Sequence, residues 1–308
     1  MIVGIKGTVP FILNLTKDIT NHWREIFAPA AQIFLNSTVI TPKGNCMKTL
    51  DWRNHHQRID TVNGILNSEV LEDISNSKIE YCYSDDLSWL PDYFNLELFT
   101  EKFLENFKAI KCFHACSPIR IESYLSDGFT GGNHEKNIEL FKNIFSDIPQ
   151  YNLEQAIKEH TTREDEFYKT FFCCDSKVLI NQDGNYLIYG SEFLSSLTTR
   201  LHHQKLSNEN YKQRLKGLGI PTIIEANIDF SLLDNYQINS LIKNSLADWG
   251  NYHLFSTDFK PSEMSIITKQ KLLPSVIVNH WHPEKIYDPY NSSWYIPEQT
   301  RCFACKEL

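Results

Sequence analysis

The stretch from Lys111 to Phe129, KCFHACSPIRIESYLSDGF, constrains the fold more than any other, because it reads as strand, sharp turn, helix and glycine stop in one short span. Ile110, Cys112 and Phe113 form an apolar run around a lysine. Ser117 is placed to cap a helix with Pro118 in its first turn, where the missing N–H of proline costs nothing. Ile119, Ile121, Ser123 and Leu125 mark one side of about two turns. Asp127-Gly128 ends them, since glycine takes the left-handed backbone that stops a helix. His114 is left at the strand end, facing the turn.

The other elements are expected around this unit. Residues 1–95 alternate apolar patches with Asn, Asp and Ser and carry no chemical motif; they read as a supporting or partner-binding region, with helices over Glu25 to Thr38 and Gly64 to Ser75 and a turn around Trp89 and Pro91. A boundary near residue 95 separates them from a domain over 96–308. That domain opens on a helix with Leu98, Phe99, Phe103, Leu104 and Phe107 at helical period. Two further helical pieces follow at Asn137 to Phe145 and Leu153 to Lys158, and Glu159 to Glu166 is a solvated charged face. Val178 to Ile180 and Tyr186 to Tyr189 are β-prone runs joined by an Asp-Gly pair, as in a hairpin. Gly190 breaks the second run and Ser191 caps a helix with Phe193, Leu194, Leu197 and Leu201 at its apolar positions. Pro221 to Phe230 reads as a strand, Asn235 to Asp248 as a polar helix, Trp249 to Ser262 as an aromatic loop, and Ser262 onward as two β-prone segments around Pro274.

At 308 residues, 42% of them hydrophobic, the chain is long enough to bury a core without disulfide staples. A formal net charge of -8 offers no general field for nucleic acid or anionic membrane. Arg200 to Lys216 is the one basic concentration, a solvated surface or a phosphate-facing one. No apolar run is long enough to cross a bilayer, no signal peptide is legible at the N-terminus, and eight scattered cysteines read as buried thiols in a reducing compartment. The expectation is a cytoplasmic protein of α+β class.

His114, Tyr189 and Glu263 then stand at the edges of β-prone runs far apart in sequence. Around one cleft they would suit cleavage of the nicotinamide–ribose bond of NAD. Nicotinamide leaves from a pyridinium and needs no protonating acid; the difficulty is the oxocarbenium-like ribose, which a carboxylate can stabilise while holding a ribose hydroxyl. A tyrosine can stack on the nicotinamide and a histidine can bond the other ribose.

This order resembles the histidine-tyrosine-glutamate branch of the ADP-ribosyltransferase superfamily, the branch of diphtheria-type toxins and poly(ADP-ribose) polymerases, over about residues 108 to 290. Phe113-His114-Ala115-Cys116 with Gly128-Phe129 is similar to its first motif, Tyr189-Gly190-Ser191 to its second, and Glu263-Met264-Ser265-Ile266-Ile267 to its third. Ala115 stands where the family has glycine, and Cys116 replaces the hydroxyl residue that holds the nicotinamide amide, leaving Ser117 to supply that contact. Tyr186 competes with Tyr189 for the tyrosine role, and Glu225 is a rival to Glu263.

The resemblance implies a mixed β core of the ADP-ribosyltransferase type and mono-ADP-ribosyl transfer from NAD to a protein or nucleic-acid acceptor, as in a toxin or defence enzyme with an antitoxin or regulatory partner. His114, Tyr189 and Glu263 would be catalytic, with NAD held by His114, Ala115, Ser117, Tyr124, Tyr186, Tyr189, Ser191 and Phe193, no metal, and the acceptor read by the aromatic loop. The competing class is a non-catalytic interaction module stabilised by zinc, because His280, His282, Cys302 and Cys305 form an H-x-H and a C-x-x-C pair of zinc-ligand type.

Overall fold

The computed structural model describes residues 48–77, 79–131, 134–160, 169–255 and 259–306, all within one compact unit over 47–308. The helix expected over Glu25 to Thr38 lies outside the described residues, as does most of the stretch from Glu159 to Glu166. The frame is a six-stranded, mostly antiparallel sheet. Its central strand β2 (Ala109–Cys116) pairs along its whole length with β4 (Thr222–Asp229), from Ala109↔Asp229 to Cys116↔Thr222. On the other edge of β2, the short β1 (Thr49–Asp51) runs parallel to its first half, and β3 (Thr170–Cys173) runs antiparallel beside Phe113. β5 (Ser265–Thr268) lies outside β3, and β6 (Ile277–Trp281) outside β4.

Side chains alternate across a strand, so β2 serves two cores. Ile110, Cys112 and Cys116 join Leu50, Phe172, Ile224, Ala226 and Ile266 on the first face. Helices α1 (His55–Ile65), α2 (Ser68–Asn76) and α3 (Leu96–Asn106) add Ile59, Val62, Val70, Ile74, Phe99 and Phe103 to that core. The short α4 (Glu122–Asp127) lies on the same side, packing Tyr124 against it. Phe113 and Ile223 face the opposite way, into a core built from α5 (His134–Ile144), α6 (Gln150–His160), α7 (Ser176–Asn181), α8 (Asn185–Tyr189) and α9 (Glu192–His203). The hairpin of β7 (Ile286–Asp288) and β8 (Ser293–Tyr295) packs there through Ile286.

The coarse α+β expectation holds, while several local readings are corrected. The described residues before 95 are not set apart from the rest: β1 is a strand of the central sheet, and α1 and α2 pack into its core. Ser117 and Pro118 do not start a helix. The Pro118 carbonyl accepts Ile220 N–H at 3.0 Å, which keeps the chain irregular until α4 begins beyond Ile121. Gly128 does end α4, at φ 73°.

The expected hairpin of 178–189 is instead α7 and α8. Asp175 caps the first through Lys177 N–H, and Gly184 lies so close to the Tyr287 carbonyl that a Cβ there would stand 2.0 Å from its oxygen. Tertiary packing of Leu179, Leu187 and Ile188 outweighs the β propensity of the run. The aromatic loop is also displaced, because α10 (Asn235–Phe255) carries Trp249 and Tyr252 within a helix, where Trp249 is buried and donates Nε1–H to Asn63 Oδ1. No helix among the described residues is long and apolar enough to cross a membrane.

Candidate functional site

Glu263 sits in the turn that enters β5, and both of its neighbours are fixed. Ser262 donates its N–H and its hydroxyl to the Asp248 carboxylate, at 3.0 and 2.7 Å to Oδ1, and its carbonyl accepts Trp52 Nε1–H at 2.7 Å. Asp248 in turn pairs with the fully buried Arg58, whose guanidinium lies 3.8 Å over the Trp52 ring. On the other side Met264 is buried, and its carbonyl accepts Cys174 N–H at 2.8 Å. The result is an exposed carboxylate on a rigid mount.

Glu263 Oε1 accepts a hydrogen bond from Gln182 Nε2 at 3.3 Å, and among the described residues no Lys or Arg pairs with it. The adjacent Asp183 carboxyl is pushed up, first by partial burial and then by the charge of Glu263. Tyr186 lies within electrostatic reach of Asp183; its half-buried hydroxyl is pushed up to about 12 by burial, Glu192 and Asp183. Gln182, Asp183, Tyr186 and Glu263 therefore form one group at the junction of α7, α8 and β5. Gln182 and Asp183 were not foreseen, since they fall where the sequence suggests a hairpin turn.

The tyrosine expected from sequence, Tyr189, and the rival glutamate, Glu225, are both occupied. Tyr189 is 1% exposed, donates its hydroxyl to Asp288 Oδ2 at 2.8 Å and accepts from Asn291 Nδ2 at 3.1 Å. Lys216 completes that network with an ion pair to Asp288 at 3.0 Å. Glu225 pairs with Lys111 at 3.0 Å, in a chain that continues through Asp51 to Arg53. Part of the basic segment is tied up in the same way: Arg214 is shared between Asp147 and Glu209, and Lys212 lies 3.6 Å over the Tyr290 ring.

His114 is inside β2 rather than at its end, and its ring belongs to the first face, 5.9 Å from Tyr124, 5.3 Å from Phe129 and 5.7 Å from Phe172. Its Nδ1 is 2.9 Å from the Phe171 carbonyl, so Nδ1–H donates and Nε2 is left as an acceptor. Burial holds its pKa below the usual imidazole value. Tyr124 neighbours His114, but neither lies on the face that carries α7 and α8.

Ala115 faces the second core. Ser117 comes close to the Tyr189-Gly190-Ser191 turn, where a Cβ on Gly190 would stand 4.0 Å from Ser117 Cβ. The Ser191 hydroxyl caps α9 by accepting Leu194 N–H. Phe193 is buried in the second core beside His160.

His280, His282, Cys302 and Cys305 do converge, with their ligand atoms all within 4.8 Å of one another. No family model, curated protein or solved structure matches the chain.

Proposed function

We propose that the chain cleaves NAD and transfers ADP-ribose to a macromolecular acceptor, with Glu263 as the catalytic carboxylate and Tyr186, rather than Tyr189, stacking on nicotinamide. The observation that carries this reading is the strand order β5-β3-β2. It sets the strand that follows Glu263 and the strand bearing the His114 motif on either side of one four-residue strand, with the link between α7 and α8 bringing Gln182 and Asp183 to the carboxylate and Tyr186 next to Asp183.

The electrostatics suit the chemistry. Two carboxyls that repel one another, without a paired Lys or Arg at Glu263, gain from a cation placed between them and the tyrosine face. The pyridinium of NAD is such a cation in the ground state, and the ribose oxocarbenium is one in the transition state. Glu263 is free to hold a ribose hydroxyl and face the developing charge. The exposed Phe171 ring adds an aromatic surface on the intervening strand. Ala115 and Ser117 belong to the contact set that the resemblance implies, and Phe171 is an addition to it. His114 contributes differently, because its Nδ1–H joins β2 to β3 and the imidazole is turned away from Tyr186.

The test is incubation with NAD labelled in its adenylate half, in a mixture of protein and RNA. Label retained on protein or on nucleic acid names the acceptor class, and absence of both retained label and free nicotinamide overturns the reading.

A further inference from the structure

The C-terminal tail and the edge strand β6 meet in an arrangement that the transferase reading does not use. His280 Nε2 lies 3.3 Å from Cys302 Sγ and 3.3 Å from Cys305 Sγ, and the two sulfurs are 3.6 Å apart. A single ring nitrogen has one proton or one lone pair, so it cannot make a full hydrogen bond to both thiols at once.

His282 adds the decisive detail. Its Nδ1 is 3.0 Å from the Pro221 carbonyl and 3.1 Å from Thr222 Oγ1. The Thr222 hydroxyl donates its own proton to the Ile220 carbonyl at 2.7 Å. The imidazole must therefore carry its proton on Nδ1 and donate it to these oxygens, leaving a lone pair on Nε2. That Nε2 is shielded from water and has no hydrogen-bond partner among the described residues, on a residue only 9% exposed. A buried acceptor without a donor is costly, and a histidine fixed through Nδ1–H to a backbone carbonyl is the usual second support of a metal-bound imidazole.

We infer that His280 Nε2, His282 Nε2, Cys302 Sγ and Cys305 Sγ bind one zinc ion in a closed tetrahedral site. Bond lengths of about 2.3 Å to sulfur and about 2.0 Å to nitrogen give tetrahedral edges of about 3.8 Å between sulfurs and about 3.5 Å between nitrogen and sulfur. The observed 3.6 and 3.3 Å spacings among His280, Cys302 and Cys305 fit that figure with a small expansion, and the separations to His282, all within 4.8 Å, close by up to roughly 1 Å on binding. Soft thiolates with imidazoles select zinc over calcium or magnesium, which prefer oxygen. Four protein donors leave no position for water or substrate, so the ion is structural. It fixes the 302–306 tail to β6, where Cys302 already packs into the first core, and each cysteine releases its proton as the thiolate binds.

The experiment uses the full chain, purified without chelator, for metal analysis and then for replacement of zinc by cobalt. The site predicts one zinc per chain. It also predicts the intense visible bands of tetrahedral cobalt, with a sulfur-to-cobalt charge-transfer band in the near ultraviolet. Cys305→Ser lowers cobalt affinity at least tenfold, whereas Cys82→Ser, which alters a buried thiol elsewhere, leaves the spectrum unchanged. Wild-type protein that is folded by circular dichroism yet holds no zinc after reconstitution, or that gives only the faint spectrum of octahedral cobalt, overturns the proposal without reliance on any variant.

Discussion

The corner at His280, His282, Cys302 and Cys305 and the surface group at Gln182, Asp183, Tyr186 and Glu263 both leave electron pairs without a full partner, but they do so in opposite surroundings. At the corner the donors converge on one point among partly buried side chains, and one histidine is fixed in a single tautomer by the backbone behind it, its Nε2 shielded from water. In the second group the carboxyls stand at the surface, their mutual repulsion relieved by water. A closed set of soft donors suits a resident ion that never leaves. An open pair of carboxyls beside an aromatic ring suits a cation that arrives, reacts and departs. The distinction between a structural and a chemical site lies in access to solvent, more than in residue type.

That contrast can be broken first at the mount of Glu263. Arg58→Met removes the partner of Asp248 and leaves its charge buried beneath Ser262. We expect a loss of about 3–5 kcal/mol, read from the midpoint of denaturant unfolding, and increased amide exchange at 262–264. An unchanged midpoint would mean that the carboxylate is not held by this pair.

The two tyrosines sharpen the contrast next. Tyr189→Phe strips a hydroxyl from the buried Asp288 network and costs about 1–2 kcal/mol of stability, with little change in KM for NAD. Tyr186→Ala costs little stability but loses about 0.5–1.5 kcal/mol of ring stacking, seen as a rise of up to about tenfold in KM. The reverse assignment of effects would return the stacking role to Tyr189.

The smallest effect is expected at His114. Its folded-state pKa lies below the ordinary 6.5, so as pH falls through 6.5 the unfolded chain takes up a proton that the folded imidazole refuses. Stability contributed by this group is therefore complete above that value and declines below it, until the folded pKa is reached. His114→Gln should lack that component of the decline in unfolding curves recorded against pH. Identical curves would remove the link between the buried ring and acid sensitivity.

Much of the frame was legible from residues alone. The Leu96–Asn106 helix, the Ser191 cap and the β4 and β6 strands follow local periodicity and capping chemistry. The H-x-H pair lies two residues apart at the end of a strand, which is why its convergence could be anticipated. The failures have a common cause. Residues 178–189 are β-prone, yet contacts with Phe113 and Ile286 on the second face set them as two short helices, and this moved Tyr189 into the core while bringing Gln182 and Asp183 to Glu263. Trp249, Tyr252 and Phe255 recur every third residue, a helical spacing hidden by the expectation of an aromatic loop. The pinning of Ser262 by Asp248 has no signal in sequence, because the two meet only once α10 has packed on α1.

The central claim is that Glu263, and not the ion-paired Glu225, acts on NAD. The most direct measurement is the rate of nicotinamide release by the native chain, Glu263→Gln and Glu225→Gln, in a lysate that supplies acceptors, with folding of each checked by thermal unfolding. Loss of transition-state charge stabilisation should slow Glu263→Gln by about 10²-fold or more, while Glu225→Gln keeps its turnover within several-fold of the native rate. Release that survives Glu263→Gln and collapses in Glu225→Gln, or no release from the native chain under any of these conditions, would contradict the account.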